Sequence, residues 1–313
     1  MGFGYRCRIN YLKNGGLKFS AERGRIYNFR LKIVYEQLMN ELQKVELDLF
    51  MCFSEICEKL NLTYFLVCGS AIGAARHGGF IPWDDDMDVG MYREDYNKFM
   101  ELASTFLPEG IFLQNYKTDP NYPLVFAKLR NSNTTYIEKA LSKFDINHGI
   151  YIDIFPLDGY PENIKEQKKF AKRKKMYLRK IGCVFTFERS KKAKVLGVVL
   201  KALGYHKRTA KTLAKYEAFI SKYSVKESNL ICNHGTWYGE RDYIPVEYYG
   251  DGSDAMYEGI KVRVPEKCDE YLTALYGDWR TPPPPEKQKG HHYYEICDTE
   301  KPYTVYRKQK END

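Results

Sequence analysis

The chain has no pair of cysteines spaced C-x-x-C. Its eight cysteines are scattered at positions 7, 52, 57, 68, 183, 232, 268 and 297. A zinc ribbon or a thioredoxin-type centre is therefore unsupported, and a reduced, cytoplasmic protein is expected. Long apolar runs are also missing. The longest stretch, at 195–203, is interrupted by Lys201 and is too short to span a bilayer, so any membrane contact is expected to be peripheral. Residues 1–7 lack the apolar core of a secretory signal. Arg6 stands where a myristoylation motif requires Ser or Thr. There is no internal repeat, and low complexity is confined to the four prolines at 282–285.

Aromatic residues make up 15% of the 313 positions, led by 27 Tyr. Such a share suits carbohydrate-binding faces, and equally ordinary cores. The net charge of +8 is uneven. Residues 164–222 hold about nineteen Lys and Arg against about three acids, which leaves the rest mildly acidic. This segment reads as a solvated Lys-rich helical hairpin or as a surface for anionic lipid, the short apolar stretch dipping into the interface. A nucleic-acid partner is not expected, because no recognised binding motif accompanies the charge.

Apolar residues recur at helical steps over 27–60: Leu31, Val34, Leu38, Leu42, Val45, Leu49, Phe53 and Ile56. A buried strand is predicted at 64–67, then a short helix of small residues at 70–76 that Gly78 and Gly79 stop. A strand at 86–91 and a helix at 93–106 follow. The stretches 125–129 and 134–138 read as a hairpin through Asn131-Ser132-Asn133. A strand at 151–155 is closed by Pro156, with Asp158 in a turn, and a helix is predicted at 267–276. The expected class is α+β: a mixed sheet flanked by helices. The expected division is a poorly ordered tail (1–26), a catalytic core (27–160), a basic helical insertion (161–225) and a part completing the catalytic domain (226–313).

The chemistry concentrates in Asp84-Asp85-Asp86-Met87-Asp88. On a strand, Asp86 and Asp88 leave the same face. Two such carboxylates repel, and a divalent cation resolves the repulsion by binding both. Asp84 shares their phase as a reserve ligand, and Asp85 points away. Taken alone, the run reads equally well as a solvated acidic turn. Upstream, Gly69-Ser70 follows a strand and opens a helix, where backbone N–H groups can hold a phosphate oxygen and Gly69 permits close approach. Asp153, flanked by Ile152 and Ile154, is the candidate third carboxylate. A phosphate turn followed by Asp-x-Asp and a later acid is the layout of a nucleotidyltransferase-type fold.

The stretch 64–88, from Tyr64-Phe65-Leu66-Val67-Cys68-Gly69-Ser70 to Ile81-Pro82-Trp83-Asp84-Asp85-Asp86-Met87-Asp88, resembles the LicD family. So do Lys128-Leu129-Arg130-Asn131, Asn133-Thr134-Thr135-Tyr136 and the run from His148-Gly149 through Ile152-Asp153-Ile154 to Asp158. Tyr276-Gly277-Asp278-Trp279 and His291-His292 resemble its C-terminal part less specifically. The resemblance implies transfer of a phospho-alcohol from a CDP-linked donor to a hydroxyl of a glycan, such as a teichoic-acid or lipopolysaccharide precursor that can be lipid-linked, with release of CMP. It implies that Asp86, Asp88 and Asp153 hold Mg2+, with Mn2+ as a substitute, and that Asp153 accepts the hydroxyl proton. Gly69 and Ser70 would bind a donor phosphate, with Arg76, Lys128 and Arg130 neutralising the diphosphate. His77, Trp83, His291 and His292 are candidate substrate contacts. The rival readings are a nucleotidyltransferase acting on nucleotides or nucleic acid, and a non-catalytic glycan-binding protein of the same fold.

Overall fold

The computed structural model describes residues 40–182, 191–236, 238–290 and 292–310. The expected tail, the first part of the 27–60 helix and His291 lie outside the described residues. Helix α1 (Glu41–Lys59) starts at a capping box: the Asn40 side chain accepts from the Gln43 N–H at 2.9 Å, and the Gln43 side chain accepts from the Asn40 N–H at 3.3 Å. Two orphan donors of the first turn are thereby satisfied.

Strand β1 (Phe65–Leu66), helix α2 (Cys68–Ile72), strand β2 (Asp88–Tyr92) and helix α3 (Arg93–Leu102) follow. Past α2 the chain winds one wider turn over Gly73–His77 and stops at Gly78, whose φ of 69° suits the stop. Next come β3 (Ile111–Gln114), β4 (Ala127–Asn131), β5 (Thr135–Glu138) and the long β6 (Ile150–Tyr160). Helices α4 (Ile164–Ile181), α5 (Lys191–Ala202) and α6 (Thr209–Ile220) form the basic segment. Strands β7 (Leu230–Asn233) and β8 (Ile244–Pro245), helix α7 (Val246–Tyr249), hairpin β9 (Ser253–Tyr257) and β10 (Ile260–Val264), helix α8 (Cys268–Tyr276), strand β11 (Tyr294–Asp298) and helix α9 (Tyr303–Lys310) complete the described chain.

The architecture is α+β. The main sheet runs β1-β2-β6-β4-β3, and β7 joins the far half of β6 and pairs with β8. Among the described residues, only β2 and β6 run parallel and the other pairs are antiparallel, so the sheet is mixed. Every residue of β6 is buried, and alternate residues feed two cores. Ile152 and Ile154 join Val89, Met91, Phe50, Phe53 and Phe99 under α1 and α3. Phe155 and Leu157 join Val67, Ile72, Tyr271 and Leu275 under α2 and α8. A third cluster, around Phe170, Tyr177, Tyr216 and Phe219, binds α4 to α6.

Two predicted features are corrected. Strands β4 and β5 follow each other but do not form a hairpin: β4 pairs with β3 and β6, whereas β5 pairs with β11. Strand β3, which carries no clear periodicity, supplies the partner that the turn residues suggested β5 would be. Nor does Pro156 end its strand. Pairing of β6 with β4 stops at Ile154 and pairing with β7 starts at Leu157, so the missing N–H of Pro156 falls between two partners. Asp158 is accordingly a buried strand residue, bound by Arg93 through Nε and Nη2 at 2.7 Å each. Both groups are buried, so this bidentate pair locks α3 to β6, and losing either partner would strand a buried charge.

Candidate active site

The acidic run is an extended loop that enters β2, not a strand throughout: β2 begins at Asp88, and Asp86 precedes it. Side chains at each end of the loop hold it. Gln43, buried on α1, donates from Nε2 to the carbonyls of Ile81 at 3.4 Å and Asp84 at 3.1 Å. At the loop's start, Phe80 N–H donates to Glu258 Oε1 at 2.9 Å. A Cβ at Gly79 would stand 2.0 Å from that same oxygen, which explains the glycine.

The sheet register then assembles the site. Asp88 and Asp153 are direct partners across the parallel β2–β6 pair, and Lys128 on β4 is the partner of Asp153 on its other side. Three charged side chains thus lie in one row across three strands. Lys128 Nζ sits 2.8 Å from Asp153 Oδ1 and 3.7 Å from Glu138, and lies 3.2 Å from the centre of the Tyr151 ring. The carboxylates of Asp86, Asp88 and Asp153 bring ligand oxygens within 4.8 Å of one another.

This row is electrostatically costly. Burial, then the charges of Asp86 and Asp153, push the Asp88 carboxyl well above its ordinary range. Asp153 is also raised by burial, although Lys128 opposes the shift. Burial raises Glu138 too, but Lys128 and Arg130 outweigh it and hold Glu138 below its usual value. Asp88 Oδ1 is fully buried without a hydrogen-bond partner. A buried, unsatisfied oxygen beside two further carboxylates, all of them hard oxygen donors, fits a small divalent cation.

The row opens into a cleft of about 790 Å3. Gly69, Arg76, Trp83, Lys128, Asp153 and His292 all line it. Further walls come from Phe126, Phe155, Tyr238, Tyr276 and Trp279. Arg76 is anchored by Nη1 to the Trp279 carbonyl. Asp85 turns to the other side of the loop and bonds to His292: the His292 N–H reaches Oδ2 at 3.1 Å, and ring Nδ1 lies 3.3 Å from Oδ1. Asp86 lies 3.5 Å from the same ring nitrogen. Burial works against a charged imidazole here, but Asp86 and Asp85 prevail and hold its pKa up at about 10. His292 thereby ties the loop to the C-terminal part of the chain.

Other predicted site residues stand elsewhere. Ser70 is buried outside the cleft, and its Oγ accepts from the Asp88 N–H at 2.8 Å. It ties α2 to β2. The space at Gly69 is filled by Asp84: a Cβ there would lie 2.7 Å from Asp84 Oδ2. Arg130 is fully buried, bonded to Gln114, to the Gly149 carbonyl and to Glu138, and does not reach the cleft. His77 stands edge-on to Trp83 at 6.1 Å and is not part of the wall.

Sequence reasoning missed several groups. Glu138 and Tyr151 hold Lys128 in place, and no local pattern marks them. Glu46 could have been found. It lies in the apolar stripe of α1 with Leu42, Leu49 and Phe50, and it is buried close enough to Asp84, Asp85 and Asp86 to be raised well above its usual range, with burial the larger cause. Cys68 is, with Asn61 and Glu258, one of the described non-glycine residues at positive φ: its φ is 51°, and its N–H is held by the Tyr271 hydroxyl at 3.1 Å.

The fold and site define a mixed-sheet α+β protein with a cation-fitting row of carboxylates in an aromatic cleft. The family model described as LicD/FKTN/FKRP, nucleotidyltransferase domain, matches residues 61–191. Lipopolysaccharide cholinephosphotransferase LicD of Haemophilus influenzae is 31% identical over 265 residues, which cover 82% of this chain and 97% of that protein. Ribitol 5-phosphate transferase FKRP of Mus musculus is 47% identical over 112 residues, 34% of this chain and 19% of that protein. The chain belongs to the LicD family.

Proposed function

We propose that the protein transfers a phospho-alcohol of the phosphocholine type from a CDP-linked donor to a hydroxyl of a cell-surface glycan precursor, releasing CMP. The observation that carries this reading is the Asp88–Asp153–Lys128 row, with Asp86 beside it, at the floor of the cleft. The similarity to a lipopolysaccharide cholinephosphotransferase over most of both chains supports the substrate class. The core is read as nucleotidyltransferase-type, and α4–α6 as a Lys-rich insertion into it.

Asp86, Asp88 and Asp153 would hold Mg2+, or Mn2+ in its place. When bound, the ion would neutralise charge on the donor phosphates. Arg76 reaches the cleft wall and is placed to offset the negative charge of departing CMP. The acceptor oxygen forms a bond to the phosphorus that bears the alcohol, and the bond from that phosphorus to the CMP oxygen breaks. The hydroxyl proton passes to Asp153, which lines the cleft. Lys128 positions that carboxylate. Trp83, Tyr238 and Tyr276 supply aromatic surface for a base, a sugar or a quaternary ammonium.

The test is a donor screen. Incubation with CDP-choline, CDP-ribitol and CTP in turn, with CMP detected, is expected to show turnover of a CDP-alcohol that Asp153→Asn loses. Turnover of CTP alone, read as pyrophosphate release because the CMP moiety would pass to the acceptor, would favour a nucleotidyltransferase. Among the described residues, no helix is long and apolar enough to cross a membrane. The proposed location is the cytoplasm at the inner face of the plasma membrane, where a lipid-linked acceptor would be reached.

A further inference from the structure

Helix α5 carries no acidic residue, and several of its apolar side chains are exposed. Val195 is 65% exposed, Val198 67%, Val199 48% and Leu203 61%. The helical turn extends past α5, since Leu203 N–H donates to the Val199 carbonyl at 3.0 Å. Steps of three and four residues put these four side chains on one face, with Lys201 opposite. A contiguous apolar face of this kind on a soluble surface marks an interaction site.

The charge around the face says which partner it fits. Helix α4 exposes Lys165, Lys168, Lys169, Lys172 and Lys175 and contains a single acid, Glu166. Its buried side, Phe170, Tyr177 and Ile181, is committed to α6, so the lysines are left for solvent or a partner. A second copy of this chain would set one such basic surface against another and repel it. An anionic lipid surface satisfies both features: headgroup phosphates meet the lysines, and valine and leucine enter the boundary between headgroups and acyl chains. The basic helix also adjoins the cleft. Lys174 Nζ lies 3.2 Å from His234 Nδ1, and the next residues, Gly235 and Thr236, line the cleft wall.

We propose that α5 and the exposed face of α4 form a membrane-docking surface, with α5 lying in the plane of an anionic bilayer and Val195, Val198, Val199 and Leu203 inserted. This deepens the transfer reading, on which its purpose rests, by bringing the cleft to a lipid-linked acceptor. The docking itself is measured without donor or acceptor, so its failure and the failure of that reading are separable.

The experiment is co-sedimentation of the full chain with vesicles of phosphatidylcholine alone or mixed with phosphatidylglycerol, at low and high salt. Binding is expected only to the mixed vesicles and is expected to fall at high salt. Lys168→Glu/Lys172→Glu/Lys175→Glu should weaken it at least tenfold, given about a fivefold loss for each basic residue removed near an anionic surface. Val195→Asp/Val198→Asp, at exposed positions, should also weaken it at least tenfold, while CMP release with a soluble acceptor and the circular dichroism spectrum stay unchanged. No sedimentation with mixed vesicles at low salt would overturn the proposal. So would equal binding by the Val195→Asp/Val198→Asp variant, or a wild-type dimer that this variant dissociates without any vesicle binding.

Discussion

Replacing Asp88 by Asn should make the protein more stable without a divalent cation and insensitive to added Mg2+. Asp88 is buried, and one of its oxygens has no hydrogen-bond partner. Its carboxylate stands within 4.8 Å of those of Asp86 and Asp153. At an effective dielectric constant near 20, two unit charges at such a separation repel by roughly 3–4 kcal/mol. Part of this is relieved already, because the carboxyl is raised and takes up a proton more readily. The net gain expected for Asp88→Asn in EDTA is therefore about 1–3 kcal/mol. In a chain of 313 residues this corresponds to a rise in Tm of about 2–5 °C. The Ser70 bond survives, since Asp88 supplies its backbone N–H there. Wild type should instead gain stability with Mg2+, about 2.7 kcal/mol at a hundred times Kd. The assay is thermal unfolding by circular dichroism in EDTA and across an MgCl2 titration. If Asp88→Asn melts below wild type in EDTA, or if Mg2+ raises both equally, the reasoning is refuted.

Three other predictions follow from the same geometry. Lys128→Met leaves Asp153 and Glu138 without their shared buried cation and should cost about 3–5 kcal/mol in urea unfolding, more than an exposed lysine would. Gly69→Ala places a Cβ 2.7 Å from Asp84 Oδ2 and displaces that side chain, so CMP release should fall about 10- to 100-fold with little change in Tm; unchanged turnover would remove Asp84 from the cleft's working geometry. The third concerns acid: burial, helped by Arg130, lowers the His148 pKa to about 4 from an ordinary value of 6.5. The unfolded chain binds more protons between those values, so this contribution is present above pH 6.5 and is lost as pH falls toward 4. It amounts to about 3 kcal/mol, and His148→Gln should flatten the pH dependence of Tm in that window by a matching amount.

What the sequence determined by itself is local. The stripe from Leu42 to Ile56 marked α1, because a helix repeats its faces every three or four residues. Gly78 stopped the turn after α2, because only glycine takes its φ readily. Asp84 to Asp88 read as a cation site or a solvated acidic turn, and the strand pattern around Asp153 marked it as the candidate third carboxylate. The tertiary structure alone decided which groups meet. The β2–β6 register sets Asp88 opposite Asp153, and β4 adds Lys128, over separations that no local period encodes. Arg130 shows the limit from the other side: its motif suggested phosphate, but the strand turns it into the interior toward Gln114 and Gly149. The strand through Pro156 was hidden because the tolerance for its missing N–H comes from where two neighbouring strands end. His292, more than two hundred residues from Asp85, closes on the acidic loop only because the fold returns the chain there. Local chemistry thus named the candidate carboxylates, and long-range pairing decided which of them share a site.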